Sequence, residues 1–340
     1  MKSEIHQEKK KRCIFLTGAS SGIGYQAVIR LLLDSHKLIL PCRDSKTSKN
    51  LIDNLKKHLY ANDDLMERVS APILDLSDLN SVKQCANQLF LQDVTIDTLV
   101  LNAGLQYTGS KNPRLSFQNL ELTFAVNHLG HQYLTELILP SLLKSTSPRV
   151  IITASDVHNP ESGGGRIGKP ASLGELKGIE VGKSSYMIDG NSKFDADKAY
   201  KDSKLCNILF ARELYRRLKH QGISMPVIAW APGLVIPRSN EGFFRYSRKY
   251  NELGQRIFSL LARDLLQITE SPEQAGYLLK MLATASKYSS GGFSYLSNRV
   301  ISPGVRKFEN SLISAEASDK DLGKNLWEKS SKLISHLQLK

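Results

Sequence analysis

Apolar and polar positions along this chain fall into blocks whose period switches between that of a strand and that of a helix. A short apolar run at 13–17 (CIFLT) leads into a glycine-rich turn, after which GYQAVIRLLLDS takes up helical periodicity. A second apolar run, KLILPCR at 37–43, precedes the amphipathic SKNLIDNLKKHLY. The alternation continues with VSAPILDLS, IDTLVLNAG and RVIITASD as strands, and with LNSVKQCANQLFL and the long LELTFAVNHLGHQYLTELILPSLL as the helices between them. Runs this apolar are buried on both faces, and strand–helix alternation builds βαβ units. The pattern predicts an α/β fold: one doubly wound, Rossmann-type parallel sheet with helices on both faces, in a single domain over 1–340.

The pattern breaks at 156–193, rich in Gly, Ser and Lys, which reads as an insertion. Helix resumes through KAYKDSKLCNILFARELYRRLKHQ, and MPVIAWAPG is the next strand. Residues 237–270 read as loop and amphipathic helix, a lid over a substrate. ESPEQAGYLLKMLATA is a further helix and GGFSYLS the last strand. Residues 308–340 form a C-terminal helical extension, and 1–11 a basic tail.

Composition narrows the field. At 41% hydrophobic over 340 residues the chain can bury a large core. Its four cysteines show no C-x-x-C and no histidines at metal spacing, so neither zinc nor a disulfide framework is expected, and a reducing cytoplasmic or stromal-type compartment fits. No apolar run approaches the ~18 residues of a membrane-spanning helix. The net charge of +13 is spread without an arginine-rich tract or aromatic-interleaved basic motif, so nucleic acid is not an expected partner. Lys9, Lys10, Lys11 and Arg12 leave a peripheral contact with an anionic membrane open beside the plainer reading of a solvated tail. Assembly into a homo-oligomer also stays open.

The turn Thr17-Gly18-Ala19-Ser20-Ser21-Gly22-Ile23-Gly24 lies between a strand and a helix, the context in which a glycine motif binds phosphate. Gly18 allows the tight turn, Gly22 lets backbone approach a pyrophosphate, and Gly24 permits close helix packing, while the helix N-terminus attracts the anion. Gly18, Ser20, Ser21, Gly22, Ile23 and Gly24 are therefore candidate cofactor contacts. Arg43 closes the second strand where an acidic residue would select NAD; its guanidinium suits a 2′-phosphate, hence NADPH. Asp75 and Leu76 close the third strand and can bracket an adenine, and Asn102, Ala103 and Gly104 bring backbone close to the cofactor after the fourth. Tyr200 and Lys204, four apart on one helix face, can share a pocket, where an ammionium near a phenol favours the phenolate.

TGASSGIG, NAG, Asn127 in NHLGH, Ser155 in ITAS and YKDSK resemble, in order and over nearly the whole chain, the short-chain dehydrogenase/reductase superfamily. The resemblance implies a catalytic tetrad. Tyr200 gives the proton, and Lys204 binds the nicotinamide ribose and lowers the tyrosine pKa. Ser155 hydrogen-bonds the reacting group, and Asn127 holds a helix kink and a relay water. Tyr200, Lys204, Pro232 and Gly233 would also touch the cofactor. From about 171 to 335, ASLGELKG, MIDG, FDADKAYKDSKLCN, FEN and EASDKDLGKNLWEKSSKL resemble the light-dependent protochlorophyllide reductases. Those enzymes pass a hydride from NADPH to C17 of the excited pigment and protonate C18, which implies Tyr200 or a relayed water as the proton source. That likeness implies protochlorophyllide as an apolar substrate and chlorophyll biosynthesis as the setting, in a soluble stromal-type compartment with a peripheral contact on the photosynthetic membrane left open.

Departures from that family fall around the pigment. Ala231-Pro232-Gly233-Leu234 has leucine where the family has a cysteine, and in Asn102-Ala103-Gly104-Leu105-Gln106-Tyr107 the tyrosine is displaced by one. Cys206 matches a family cysteine but also reads as a small core residue. Phe243, Phe244 and Tyr246 could line an apolar pocket, seat on a membrane or pack locally. A light-independent NADP-dependent carbonyl or alcohol oxidoreductase of retinol-dehydrogenase type is one alternative, and a non-catalytic nucleotide or pigment binder another; the intact Tyr200 and Lys204 argue against the second.

Overall fold

The computed structural model describes residues 11–60, 63–181, 185–236, 246 and 252–338. Eight strands form one sheet in the order β10-β9-β6-β5-β4-β1-β2-β3. They are β1 (Cys13–Leu16), β2 (Lys37–Ile39), β3 (Val69–Ser70), β4 (Thr98–Leu101), β5 (Arg149–Thr153), β6 (Pro226–Ala231), β9 (Gly292–Ser302) and β10 (Val305–Asn310). Every pairing is parallel except that of β9 with β10. Two short strands, β7 (Leu234–Val235) and β8 (Thr269–Glu270), pair separately.

The strands are apolar at successive positions because both faces are covered. Phe15, Leu99, Leu101, Val150 and Ile152 point into one layer, and Ile14, Leu16, Val100 and Ile151 into the other. The first layer packs α3 (Leu79–Leu91), α4 (Gly130–Leu143), α5 (Ala196–His220) and the terminal α7 (Lys320–Gln338); the second packs α1 (Gly22–Leu33), α2 (Ser45–Leu59) and α6 (Pro272–Thr284). The predicted doubly wound architecture is the one observed. Helix starts are set by side-chain caps: Asp44 accepts from Thr47 N at 2.7 Å, Asp78 from Asn80 N at 3.0 Å, Asp195 from Lys198 N at 3.1 Å and Ser271 from Gln274 N at 3.0 Å. Each such cap contributes about 1 kcal/mol.

Three segments differ from expectation. The third strand shrinks to two residues, because Pro72 has no N–H to give; pairing persists only as a bridge between Cys42 and Ile73. The last strand runs on through Ser302, turns at Pro303-Gly304 and returns as β10, so 308–340 begins in a strand and becomes helical only from Ala315. The long helix carries a π-turn, Ala125–Leu129, between Leu122–Phe124 and α4. Of the expected lid, 237–245 and 247–251 lie outside the described residues, as do Phe243 and Phe244 and residues 1–10 of the basic tail. The remainder includes a helix, Glu252–Leu260, and a second π-turn, Leu261–Leu265.

Chain order reverses between β1 and β4: from β1 the chain moves out to β2 and β3, then crosses back. Open α/β sheets bind ligands at the carboxyl ends of the strands at such a point.

Candidate active site

A cleft of about 1420 Å³ opens there, lined by the glycine turn, the ends of β2, β4, β5 and β6, and the start of the insertion. This exceeds the ~300–1,000 Å³ usual for one small ligand, so it has room for a cofactor and a substrate side by side.

At one end lies the glycine turn. Gly18 and Gly22 have φ of +74° and +55°, values glycine adopts freely. A Cβ on Gly24 would stand 2.1 Å from the Gly18 carbonyl, so the close helix approach expected of that position is present. A Cβ on Gly22 would meet nothing within 4 Å, which leaves the backbone there open to the cleft. Ser21 precedes α1 without capping it by its side chain, so the first-turn amides keep their capacity for an anion. Ser20, Ser21 and Ile23 line the same space. These features fit a dinucleotide's pyrophosphate.

Across the cleft mouth, strand ends are laced together. Trp230 Nε1 donates to Thr153 Oγ1 (3.0 Å), Thr153 Oγ1 to Asn102 Oδ1 (3.3 Å), and Asn102 Nδ2 to the Thr17 carbonyl (3.2 Å). Thr17 Oγ1 in turn accepts from the backbone N–H groups of Asn102 (2.9 Å) and Ala103 (3.0 Å). The side chain of Asn102 is therefore a structural tie, and what it presents to the cleft with Ala103 and Gly104 is backbone. Arg43 faces the cleft; its Nε donates to Asp44 at 3.1 Å, and among the described residues its two Nη groups have no protein acceptor. Asp44, held by the Thr47 amide and hydroxyl first and by Arg43 after them, has its carboxyl drawn down to about 2 and is ionised. Asp75, Leu76, Pro232 and Gly233 line the cleft as expected.

At the other end stand Ser155, Tyr200 and Lys204. Helix α5 carries Tyr200 and Lys204 past the end of β5, and a hydrogen bond links Ser155 to the Tyr200 phenol. Lys204 Nζ lies 5.7 Å from the centre of the Tyr200 ring and donates to the Thr153 carbonyl at 3.1 Å. The expected lowering of the phenol by Lys204 does not prevail in this arrangement. Burial pushes the Tyr200 phenol upward, with Ser155 the opposing influence, and burial pulls the Lys204 ammonium down to about 8. A phenol so raised keeps its proton at neutral pH, the state an acid requires.

Asn127 does not line the cleft. It is fully buried in the π-turn, where Oδ1 accepts from Leu105 N (2.8 Å) and Nδ2 donates to the Leu105 carbonyl (3.0 Å) and Ser203 Oγ (3.0 Å). The expected kink is there, held by a side chain that fixes the backbone after Gly104 from behind. Removing it would orphan a buried amide, at about 1–3 kcal/mol. Glu121 starts this bend by accepting from Thr123 N and Phe124 N, and from a short bond donated by Tyr107. Tyr107 is thereby buried and stacked on Phe194 at 5.8 Å, so the one-place displacement turns the tyrosine away and puts Gln106 on the cleft. Cys206 lies in the core with its thiol pushed well up by burial, and Tyr246 lies on the cleft with Arg114 4.3 Å over its ring. Leu234 lines the cleft and, like Ile268, packs against the small cluster of Ile236 and Ala262.

Several residues that sequence reasoning passed over belong to this machinery. Thr17 sits inside the glycine motif, and its hydroxyl is the knot between β1 and β4. His131, the second histidine of NHLGH, is buried between Thr17 Oγ1 (3.0 Å to Nε2) and the Asn127 carbonyl (3.1 Å to Nδ1). Since a carbonyl only accepts, Nδ1 carries the proton, and burial keeps the ring neutral with its pKa near 4. His158 likewise accepts from Ser314 N and donates to the Ser155 carbonyl (2.8 Å). Asp156 receives the Tyr295 and Ser297 hydroxyls, both at 2.6 Å. No sequence spacing announces the contacts from Thr17 to His131, His158 to Ser314 and Asp156 to Tyr295 and Ser297, which join residues more than a hundred positions apart; only the NHLGH motif flags one of them. Among the described residues no cluster of His, Cys, Asp or Glu could hold a metal.

A family model for short chain dehydrogenase matches residues 12–165. Protochlorophyllide reductase, chloroplastic, of Pisum sativum is 32% identical, over 98% of this chain and 80% of its own length. The protochlorophyllide reductase of Avena sativa is 31% identical, over 94% of this chain and 99% of its own. Among solved structures, a chain described as a short chain dehydrogenase of Shigella flexneri, complexed with NADP, superposes with a TM-score of 0.57 at 18% identity, covering 85% of this chain and 98% of that one, a likeness of fold.

Proposed function

Because this chain belongs to the short-chain dehydrogenase family and, within it, to the family of the protochlorophyllide reductases, we propose that it is an NADPH-dependent reductase whose substrate is protochlorophyllide, reduced in a light-dependent step. The observation that carries the reading is the joining of two half-sites in one cleft: a glycine turn shaped for a dinucleotide and, beside it, Tyr200 hydrogen-bonded to Ser155 with Lys204 against its ring. The reductase is proposed to act as one domain across the described residues, in a chloroplast or similar stromal compartment, as the named relatives suggest. No helix among the described residues is long and apolar enough to cross a membrane.

In this reading the open backbone at Gly22 and the amides of α1 hold the pyrophosphate, and Arg43 pairs with the 2′-phosphate. Bound NADPH supplies the hydride. Tyr200 holds the other hydrogen as a proton on Oη, kept there by burial until the substrate needs it. Ser155 orients that hydroxyl, and its own position is fixed by His158 and by the ties on Asp156. As the proton leaves, the phenolate is stabilised by the ammonium of Lys204, 5.7 Å from the centre of its ring, an attraction made stronger by the low dielectric of the buried site. Asn127 and His131 keep the backbone under Gly104 in place, where a Cβ would come within 3.3 Å of Asn127 Oδ1 and 3.7 Å of Lys204 Nζ.

The test is purified protein with protochlorophyllide and either NADPH or NADH, assayed for chlorophyllide after illumination and after the same time in darkness. Product formed only in the light and with strong preference for NADPH is expected. Reduction of apolar aldehydes or ketones in darkness, with the pigment untouched, would establish the retinol-dehydrogenase-like alternative instead.

A further inference from the structure

Between Ser155 and Tyr200 the insertion passes the cleft as a glycine-rich strip. Ser162, Gly163, Gly164, Ile167 and Gly168 all line it. Two glycines of this strip are explained by the fold: Gly165 because a Cβ would stand 1.9 Å from the Asn159 carbonyl, and Gly168 because its φ is +72°. Gly163 is not. Its φ lies outside the left-handed region, and a Cβ there would meet no protein atom within 4 Å. Neither packing nor backbone geometry of the chain itself requires glycine at 163, which is exposed and borders the cleft.

The strip is anchored at both ends to catalytic neighbours. Ser162 Oγ donates to the carbonyls of Asp156 (2.7 Å) and Asn159 (2.8 Å) and accepts from Gly165 N (3.0 Å), tying one end to the residue after Ser155. Lys201, the residue after Tyr200, holds the other. It is 6% exposed, and its Nζ donates to the carbonyls of Gly165 (3.1 Å), Ile167 and Lys169 (2.9 Å). An ammonium has three N–H donors, and here all three are spent on one stretch of main chain. No carboxylate lies within ion-pair distance of it among the described residues. A buried lysine with this set of partners is a clasp, and it fixes the strip at a set offset from the Tyr200 hydroxyl because the two residues are adjacent on one helix.

We propose that residues 162–168 are the substrate-side wall of the site, a glycine-rich surface interrupted by Ile167, against which the flat face of a ring substrate lies, with Gly163 determining what fits and Lys201 positioning the wall relative to Tyr200. The proposal rests on the reductase reading for its substrate, but the wall and the clasp are testable apart from it.

The experiment uses Gly163→Leu, Lys201→Met and Lys201→Arg in the full chain. Protochlorophyllide affinity is read from the shift of its absorbance band, NADPH affinity from its fluorescence, and order of the wall from hydrogen exchange over 162–169. Gly163→Leu is expected to weaken the pigment by about tenfold or more while NADPH affinity and thermal midpoint stay at wild-type values. Lys201→Met is expected to speed exchange at 162–169 and weaken the pigment without weakening NADPH, and Lys201→Arg to recover part of both. Wild-type pigment affinity in Gly163→Leu overturns the wall; unchanged exchange in Lys201→Met, or equal losses for NADPH and pigment, overturns the clasp. If the wild-type chain binds no pigment, the reductase reading is what has failed. The same comparison is then made with retinal, a flat apolar aldehyde, where loss of affinity in Gly163→Leu upholds the wall and its absence overturns it.

Discussion

The cofactor end and the substrate end of the cleft are held in place by different parts of the chain. At the cofactor end the ties run between strand termini and turn backbone: Thr17 to the amides of Asn102 and Ala103, Asn102 to the Thr17 carbonyl, Trp230 to Thr153. At the substrate end an insertion with almost no regular structure is held by side chains reaching in from elsewhere. Lys201 grips three carbonyls, and Lys198 joins Asp202 (2.6 Å), Asp189 (3.2 Å) and the Ser172 carbonyl (2.6 Å). From the terminal helix Lys329 reaches the Glu175 carbonyl (3.0 Å) and Glu180 (2.9 Å). A site positioned by sheet topology tolerates little change without losing the fold, whereas one positioned by individual side chains can be retuned residue by residue. Of the two departures from the pigment reductases, the displaced Tyr107 stacks on Phe194 beside the second kind, whereas Leu234 sits in the short strand β7.

The largest effect should come from the backbone-built end. In Gly24→Ala the new Cβ would meet the Gly18 carbonyl at 2.1 Å, so NADPH affinity, followed by fluorescence, should fall by about 10²-fold or more. Unchanged affinity would mean that the turn yields easily and that the contrast is false. Next, Arg43→Ala should weaken NADPH about ten- to hundredfold and leave NADH nearly unchanged, the worth of a charge-assisted bond to the 2′-phosphate; equal losses for both would remove that assignment. A pH profile of kcat should then fall as pH rises through about 8, because Lys204 acts as the ammonium and burial has brought its pKa down from 10.5. Stability moves the other way. The folded chain releases this proton near 8 and the unfolded chain near 10.5, so the folded state gains on the unfolded between those values. A kcat profile flat to pH 10 would show that the Lys204 charge is not used. Smallest is Leu234→Cys, which should change pigment affinity by no more than about tenfold and leave NADPH alone; a large gain in turnover would show that the thiol of the related enzymes does more than fill space.

Local signals make the cofactor end legible in the sequence alone. Period-2 and period-3.6 blocks set strands and helices, and the glycines of 18–24 carry their own conformational reasons. The β9–β10 hairpin has a signal too, Ser302-Pro303-Gly304 between two strand-like runs, but it lies beyond GGFSYLS, where the apolar run ends. The π-turn around Asn127 leaves no trace in composition, since one extra residue in a helical turn does not disturb a 3.6-residue pattern over so short a span. Least legible was the substrate end. Lys201, His158 and Asp156 look like ordinary polar residues until the fold brings their partners in from distant parts of the chain, and the rise in the Tyr200 pKa depends on burial that only the packed structure reveals.

The account turns on Tyr200 standing where the two ends meet, and the most direct measurement is single-flash conversion of protochlorophyllide by wild-type and Tyr200→Phe protein, with the NADPH dissociation constant determined in the same samples. NADPH should bind the variant within about twofold of wild type, while the yield of chlorophyllide per flash falls by about 10²-fold or more, the usual loss when a positioned acid is removed. Full conversion by Tyr200→Phe would contradict the account, since the proton would then come from a group other than the phenol that this cleft buries and holds ready.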